Sequence, residues 1–473
     1  MDLHLDLDLG SGRSRRAQLE SALREAIRSG RLAPGTKLPA TRSLCAQLGV
    51  SRGVVVDAYA QLAAEGYLHT RRGGGTTVAP LGAPRADHRA PEPRTTPVRY
   101  DLNPFIPAVA EFPRAAWAAA LGQVLRSVPA DRLGLPDPAG MEELRGALAA
   151  YLARVRGVLA EPDRILVTAG TRHSMGLVWA TLAKQGVAEV AVEQPGWPGT
   201  WETAQEAGLR IRRVPVDRDG VVVAQLAPSA GALAVAPAHQ YPTGAVLGSS
   251  RRRELIDWAA ARRRVIVEDD YDAEYRYDRQ PIGCLQGLAP EHVAYAGSTS
   301  KTLSPAVRIG WLVMPRRLTG AVLETARRRG GAPSPILQLA LARILERGDL
   351  DRHLRRQRRR YHERRAALLQ ALADRLPALG VSGISAGLFV LLELPNGVSE
   401  RDVAQRAARQ GLALGAPVAG HDRRALALGY ANLAPAAAPR AIGTLAEVIE
   451  NCARQGGPRV GRAAAAGQAR AIV

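Results

Sequence analysis

The sequence predicts a multidomain protein with an N-terminal winged helix-turn-helix and a larger α/β domain behind it. Residues 12–79 carry apolar side chains at helical spacing and end in two short strand-like runs. From residue 100, short β-branched runs alternate with helical segments, which is typical of a large, mainly parallel sheet covered by helices. Residues 80–99 are rich in Pro and Arg and show no periodicity, so we interpret them as a linker.

Three helices and a hairpin are expected in the N-terminal unit. The first helix places Leu19, Leu23 and Ile27 on one face, and the second covers 41–48. Ser51 is placed to cap the third helix, which follows the second after a short turn. Two short strands joined by a basic, glycine-rich tip complete the unit, at 67–70 and 76–79.

We expect the larger domain to span 100–455. The predicted strands of its main sheet are short apolar runs, in chain order 165–168, 187–193, 232–236, 265–268, 293–296 and 309–314. An arginine-rich helix near 350–376, followed by strands at 388–394 and 425–430, predicts a smaller C-terminal α+β lobe. The low-complexity segment 456–473 is expected to be a disordered tail.

Charge and cysteine content limit the class of protein. The chain of 473 residues has a formal net charge of +20, which favours a polyanionic partner such as nucleic acid. Cys45, Cys284 and Cys452 are too far apart for a disulfide framework or a clustered metal site, so we expect a cytoplasmic protein without a metal. No apolar run is long enough to cross a bilayer, and the first residues lack a signal-peptide pattern, which disfavours a membrane protein.

Lys301 is the residue that most strongly suggests chemistry. The chain has three lysines among its 64 basic residues, and Lys301 closely follows an apolar run. A primary amine can form a Schiff base with an aldehyde, whereas a guanidinium stays protonated, so a lysine retained among arginines is enriched for covalent chemistry. The alternative is a surface lysine retained by chance, which is how we interpret Lys37 and Lys184.

Other motifs supply what an aldehyde cofactor with a phosphate and a ring nitrogen requires. Gly170 and Thr171 lie between a strand and a helix, where free N–H groups favour a phosphate. Asp269 ends a strand and is suited to keep a ring nitrogen protonated, while Tyr271 is suited to bond a ring oxygen. Trp197 offers a flat surface for a ring. Three further residues are expected at the same sheet edge, where doubly wound folds bind ligands: Tyr241, Ser298 and Arg308.

Two groups of motifs resemble one known family. In the larger domain, EDDYDAEYRY (268–277), GSTSKTL (297–303) and RIGW (308–311) are similar to the MocR subfamily of GntR-type transcription regulators. In the N-terminal unit, SRGVVVDAY (51–59) resembles the reader domain of the same proteins. They fuse a winged helix-turn-helix to a fold type I aminotransferase-like domain, and the resemblance covers about 13–453. Two unrelated motif groups in the right order make it specific.

The resemblance implies a role for each candidate residue. Lys301 would bind pyridoxal 5′-phosphate covalently, with Asp269 at the pyridine nitrogen and Tyr271 at the ring hydroxyl. Trp197 would stack on the ring. The phosphate would be held by Gly170, Thr171, Ser298 and Arg308. The residues expected to contact double-stranded DNA are Arg42, Ser51, Arg52, Gly53, Arg71 and Arg72. The resemblance also implies a head-to-tail homodimer.

The chain departs from the family pattern at three informative positions. Leu135 stands where the family commonly has a tyrosine that reaches the cofactor phosphate. Ala427 stands where aminotransferases have an arginine for the substrate carboxylate, which an efficient transaminase needs for positioning. Val54 replaces a threonine that contacts DNA, which leaves the operator preference open. The first two departures favour sensing over catalysis.

We therefore predict a transcription regulator that binds an operator and uses pyridoxal 5′-phosphate, alone or with an amino compound, as its signal. The alternative is a pyridoxal phosphate-dependent aminotransferase with a vestigial DNA-binding module, which the intact helix-turn-helix and basic wing disfavour. The regulated genes would serve either vitamin B6 synthesis or the metabolism of an amino compound. The arginine-rich motifs and Trp311 favour vitamin B6 synthesis.

Overall fold

The computed structural model describes residues 14–71, 75–80, 97–278, 282–415 and 424–456. The chain separates into two compact units, Met1–Arg94 and Thr95–Val473. Arg72 at the wing tip, most of the expected linker and the expected C-terminal tail lie outside the described residues. The expectations for them stay predictions.

The N-terminal unit is a winged helix-turn-helix. Its elements are α1 (Arg15–Arg28), α2 (Thr41–Leu48), α3 (Arg52–Ala64), β1 (Leu68–Arg71) and β2 (Gly75–Val78). The turn between α2 and α3 begins at Gly49, which has a φ of 63°. Glycine adopts this left-handed conformation without backbone strain. β1 and β2 pair antiparallel and form the wing. The predicted order of three helices and a hairpin is confirmed.

A buried apolar cluster fixes the three helices against one another. Its fully buried members include Leu19, Leu23, Leu44, Val55 and Leu62. Burying each such side chain contributes about 1.5–3 kcal/mol. The start of α3 is therefore held in a fixed position relative to α2, as a reading helix requires.

Ser51 precedes α3 at the N-cap position but does not cap it as expected. Its side chain accepts no hydrogen bond from the first turn. The helix begins instead with a backbone bond from Val54 N to Ser51 O. The Ser51 side chain is exposed to solvent.

The C-terminal unit alternates strands and helices along most of its length. In chain order its elements are β3 (Tyr100–Leu102), α4 (Arg114–Ser127), α5 (Glu142–Arg156), β4 (Ile165–Thr168), α6 (Thr171–Lys184), β5 (Glu189–Gln194), α7 (Pro198–Glu206), β6 (Arg210–Asp217), β7 (Gly220–Val221), β8 (Ala232–Val235), α8 (Ser249–Ala261), β9 (Val265–Asp270), β10 (Val293–Ser298), α9 (Thr299–Thr302), β11 (Gly310–Val313), α10 (Arg316–Arg329), α11 (Pro335–Glu346), α12 (Asp349–Arg375), β12 (Val381–Ser382), β13 (Phe389–Glu393), α13 (Glu400–Arg409), β14 (Leu412–Leu414), β15 (Ala425–Gly429) and α14 (Ala438–Gly456).

One large sheet organises this unit, with the strand order β4-β11-β10-β9-β8-β5-β6-β7. β11 runs antiparallel to both of its neighbours and β7 runs antiparallel to β6, while the other strands are parallel. β8 is buried along its whole length, as expected for a central strand with helices on both faces. The mainly parallel sheet that the sequence predicts is confirmed.

The carboxyl ends of the parallel strands meet at one edge of the sheet, where open α/β folds bind ligands. Segments at or beyond the ends of β4, β5, β8, β9 and β10 carry, respectively, Gly170, Trp197, Tyr241, Asp269 and Lys301. Residues far apart in sequence therefore converge at this edge.

A smaller lobe contains a second, antiparallel sheet of β12, β13 and β15, and a parallel pair of β14 with β3. The predicted α+β lobe is present, but the contribution of β3 was not predicted. Strand β6 was also not predicted, because only one of its eight residues is buried and it contains Pro215. Among the described residues, no helix combines the length and apolar content that a membrane span requires.

Candidate cofactor site and nucleic-acid interface

A cavity of about 370 Å³ opens at the carboxyl edge of the large sheet. This volume lies in the range of small-molecule sites in proteins. All nine residues that the sequence assigned to a cofactor site line it: Gly170, Thr171, Trp197, Tyr241, Asp269, Tyr271, Ser298, Lys301 and Arg308. The fold thus brings the whole predicted set together.

Lys301 lies in the short helix α9, directly after β10. Its Nζ donates to the carbonyl oxygen of Phe105 and lies 5.5 Å from the centroid of the Phe105 ring. Burial lowers the pKa of Lys301 to about 8, against the opposing effect of Asp272 and Asp269. The amine is therefore neutral, and nucleophilic, in a much larger fraction of molecules than an ordinary lysine at neutral pH.

Asp269 lies near the end of β9 and lines the cavity. Its Oδ1 is buried and makes no hydrogen bond with any described residue. Burial, and then the neighbouring Asp270 and Asp272, raise the pKa of Asp269 to about 7. A buried oxygen left unpaired costs about 1–3 kcal/mol. A cationic donor in the cavity would remove that cost.

Tyr271 faces a buried histidine and carboxylate. His239 Nδ1 lies 2.8 Å from Asp272 Oδ2 and 3.2 Å from the Tyr271 hydroxyl. A ring nitrogen that donates its one proton to Asp272 cannot also accept a proton from Tyr271. The Tyr271 proton is then free to be donated into the cavity. Burial raises the pKa of Tyr271 well above its usual value, so the phenol keeps this proton.

The part of the cavity lining at the start of α6 is suited to an anion. Gly170, with a φ of 117°, precedes α6 and provides no side-chain cap, so the first N–H groups of the helix stay free of side-chain partners. Free N–H groups and the helix dipole together attract a phosphate. Arg308, exposed and without an ion pair to another described residue, adds a positive charge. Its φ of 55° is unusual for a residue with a side chain.

Aromatic side chains line one wall of the cavity. The Tyr241 ring lies 5.2 Å from the Phe105 ring and 5.4 Å from the Phe389 ring, centroid to centroid. Trp197 packs against the same cluster. Ala427 of β15 belongs to this cluster too, where the sequence predicted the loss of an arginine. This end of the cavity is therefore apolar.

The cavity is also lined by residues that the sequence did not assign to the site, among them Phe105, Glu193 and Ser300. Glu193 lies on β5 and accepts from Ala236 N at 3.2 Å, while burial raises its pKa to about 8. The sequence could have indicated Glu193 as a site residue, because Glu193, like Asp269, is a carboxylate at the end of a buried strand. The sequence could not predict that Phe105 lies beside Lys301, because its position depends on a turn far from Lys301 in the chain.

Leu135 and Ala427, two of the departures from the family pattern, are not among the residues that line the cavity. The Leu135 side chain is fully exposed in this chain. Arg424, the residue before β15, is an arginine close in sequence to Ala427. It is exposed and donates to Val398 O at 3.1 Å, so it does not compensate for Ala427.

The helix-turn-helix presents its predicted DNA contacts to solvent. Arg42, Ser51, Arg52, Gly53 and Arg71 are all exposed, and Arg72 lies outside the described residues. The three described arginines of this set form no ion pair with another described residue. Arg16 and Arg24 of α1 differ, because each pairs with a glutamate, Arg24 with Glu65 at 2.8 Å. The unpaired set is suited to phosphate and base contacts.

Comparison with known proteins agrees with this division. Residues 15–78 match the gntR family of bacterial regulatory proteins, and residues 109–417 match aminotransferase class I and II. The chain is 37% identical over 396 residues to the HTH-type pyridoxine biosynthesis transcriptional regulator PdxR of Corynebacterium glutamicum, covering 83% of this chain and 86% of the relative. It is 34% identical over 420 residues to the probable rhizopine catabolism regulatory protein MocR of Rhizobium meliloti, covering 84% and 85%.

A solved structure shows a similar fold for the larger unit. The α-aminoadipate aminotransferase LysN from Thermus thermophilus, in complex with N-(5′-phosphopyridoxyl)-L-leucine, matches with a TM-score of 0.67 and 25% identity. The match covers 75% of this chain and 93% of that one.

The fold and these matches define a bacterial regulatory protein in which a GntR-type helix-turn-helix is joined to a fold type I aminotransferase-like unit. Within that class, the chain belongs to the MocR subfamily, as its motifs indicated.

Proposed function

We propose that this protein is a DNA-binding transcription regulator that uses pyridoxal 5′-phosphate, bound at Lys301, as its ligand. The observation that carries this proposal is the presence, in one cavity, of a buried lysine amine and an aspartate oxygen without a described partner. A second unit of the same chain presents unpaired arginines on a helix-turn-helix. Two regulators among the relatives support the same function.

The cavity residues fit this cofactor. When bound, pyridoxal 5′-phosphate supplies an aldehyde that condenses with primary amines. Lys301 would supply the amine, Asp269 would accept from the protonated ring nitrogen and so gain the partner it lacks, and Tyr271 would donate to the ring hydroxyl oxygen. Trp197 and Tyr241 would flank the ring. The phosphate would be held by Gly170, Thr171, Ser298 and Arg308.

Sensing is favoured over steady transamination. Among the described lining residues the cationic side chains are Lys301, Arg308 and Arg172. Arg172 is occupied by Glu202 at 2.7 Å and Glu206 at 2.9 Å. The carboxylate of an amino-acid substrate would therefore find no free arginine at the apolar end. The alternative function is that of an aminotransferase with a vestigial reader domain. Such an enzyme would need a free arginine to hold the substrate carboxylate.

The proposal extends to assembly and target. We propose a cytoplasmic, head-to-tail homodimer on an operator, with pyridoxal 5′-phosphate alone or with an amino compound as effector. The pyridoxine biosynthesis regulator among the relatives supports control of vitamin B6 synthesis. The rhizopine catabolism relative, at lower identity, supports the alternative of amino-compound metabolism.

Borohydride reduction followed by peptide mapping tests the assignment of Lys301. Protein supplied with pyridoxal 5′-phosphate should absorb visible light and, once reduced, carry a pyridoxyl label on Lys301. Lys301→Arg should lose the band and the label, because a guanidinium keeps the charge but cannot condense with the aldehyde. Lys184→Arg is the matched control and should keep both. A label on Lys184 or Lys37 would refute the assignment.

A further inference from the structure

The long helix α12 presents arginines on one face. Arg352, Arg355, Arg356 and Arg359 follow the spacing i, i+3, i+4 and i+7, which places them in a single stripe. All four are exposed. We call this stripe the arginine face. It belongs to a helix with nine arginines and four acidic residues.

The arginine face lacks counter-charges. Arg352 pairs with Asp349 at 2.6 Å, but the other three arginines of the face form no ion pair with another described residue. Some other exposed arginines of the same unit are paired, as Arg327 and Arg328 are with Glu324. Like charges one turn apart destabilise a helix. An anion from outside the chain would remove that repulsion.

The opposite face of α12 touches the segment that carries Lys301. His353, buried, hydrogen-bonds the backbone of Thr302. The Tyr361 ring packs edge-on against Tyr275, with centroids 4.9 Å apart, and the Tyr275 hydroxyl donates to the Lys301 carbonyl at 3.1 Å. Contacts of α12 therefore reach the backbone at Lys301 and Thr302.

Two further observations relate α12 and its arginine face to segments near the cavity. Arg358, next to the face, donates through Nε to Glu274 O at 2.6 Å, in the segment that follows Asp269. Burial, and then the charge of Arg356, lower the pKa of His353 to about 4. An anion bound at Arg356 would weaken that repulsion at His353. His353 is hydrogen-bonded to Thr302, which lies in the same helix as Lys301.

We propose that the arginine face binds the phosphate backbone of duplex DNA, in addition to the helix-turn-helix, and that this binding is linked to occupancy of the Lys301 cavity. The inference rests on the proposed function, because it takes the chain to bind DNA. Four guanidinium groups along about 10 Å of helix suit a repeating row of phosphates. DNA is the favoured polyanion because the reader domain of the same chain raises its effective concentration.

Salt dependence of binding tests the surface. The full chain carrying R355Q/R356Q/R359Q is compared with a control, R253Q/R409Q/R440Q, which removes the same charge from other exposed positions. Affinity for a random-sequence duplex is measured over a range of KCl. Each phosphate contact contributes about 0.9 to the log–log slope. The arginine-face variant should have a slope shallower by about 1 to 3, and the control should keep the parent slope. Equal slopes for the two variants would overturn the proposal.

The linkage is tested by reciprocal binding. Duplex DNA should change the affinity of the parent and the control for pyridoxal 5′-phosphate by about fivefold or more, measured by visible absorbance. The arginine-face variant should lose this effect. If duplex DNA left the affinity of the parent for pyridoxal 5′-phosphate unchanged, the proposed linkage would be wrong. If Arg52→Ala leaves DNA binding intact while the arginine-face variant weakens it, the reader assignment fails and the arginine face stands.

Discussion

Burial shifts the pKa values of Lys301 and Asp269 in opposite directions and brings both values close to neutral pH. The lysine pKa falls to about 8 and the aspartate pKa rises to about 7, so neither is held firmly in its usual charged form. A neutral amine can attack an aldehyde, and a carboxyl group of this kind ionises fully once a cation arrives beside it. The pair is thus prepared for a ligand that brings an aldehyde and a protonated nitrogen together.

The rate of pyridoxal 5′-phosphate association should therefore depend on pH in a specific way. Because only the neutral amine reacts, the rate should rise with pH and level off above about 8, the lowered pKa of Lys301. Stopped-flow absorbance would record it. A rate that keeps rising toward the ordinary lysine value of 10.5 would show that burial does not activate this amine.

At the scale of elements, the anion end of the cavity depends on the contact between β11 and the start of α6. A Cβ at Gly310 would lie 2.6 Å from Gly170 Cα and 2.8 Å from Gly297 O. Both neighbours are backbone atoms, which cannot rotate away. The absence of a side chain at Gly310 therefore lets the Gly170 turn reach its position.

Gly310→Ala should weaken binding of pyridoxal 5′-phosphate and destabilise the protein by about 1–3 kcal/mol, as overpacking does. Calorimetry and a titration of visible absorbance would measure the two effects. Gly443→Ala, in α14 with no atom within 4 Å of the added Cβ, is the matched control and should leave cofactor binding unchanged. Equal effects of the two substitutions would contradict this account of the Gly170 turn.

Helix α3 carries a separate prediction. Arg52→Ala should weaken binding to the operator by about 1–3 kcal/mol more than binding to random DNA, if Arg52 contacts a base edge. The operator is identified by genome-wide pull-down and the affinities by fluorescence anisotropy. Arg31→Ala, an exposed arginine outside the helix-turn-helix, should lose the same affinity on both DNAs. If Arg52→Ala weakened binding to the operator and to random DNA equally, Arg52 would contact only the DNA backbone.

The sequence predicted elements well where the burial pattern is strong. Strand β4 was expected at 165–168 and is observed there, because each of its four residues is buried. Strands β3 and β6 were not predicted, since β3 is short and β6 is mostly exposed. The nine cofactor candidates converge because parallel strands align their carboxyl ends, whereas Phe105 enters through a turn that local sequence does not encode.

At the scale of the whole molecule, the chain combines a helix-turn-helix with a cavity that has the groups to hold an aldehyde cofactor. A ligand changes the affinity for DNA only if it binds two states of the protein differently. By linkage, DNA must then change the affinity for the ligand by the same factor. Regulation in this account therefore requires condensation at Lys301 but no catalytic turnover.

The most direct test is the DNA affinity of the parent and of Lys301→Ala, with and without pyridoxal 5′-phosphate and an amine. The parent should change its affinity by about 5- to 150-fold, a usual range for allosteric coupling. Lys301→Ala should not respond, and the parent should show negligible multiple turnover with amino acids and an oxo-acid acceptor. Steady turnover at about 1 to 1000 per second, together with a DNA affinity indifferent to cofactor and amine, would contradict the account and make the protein an aminotransferase.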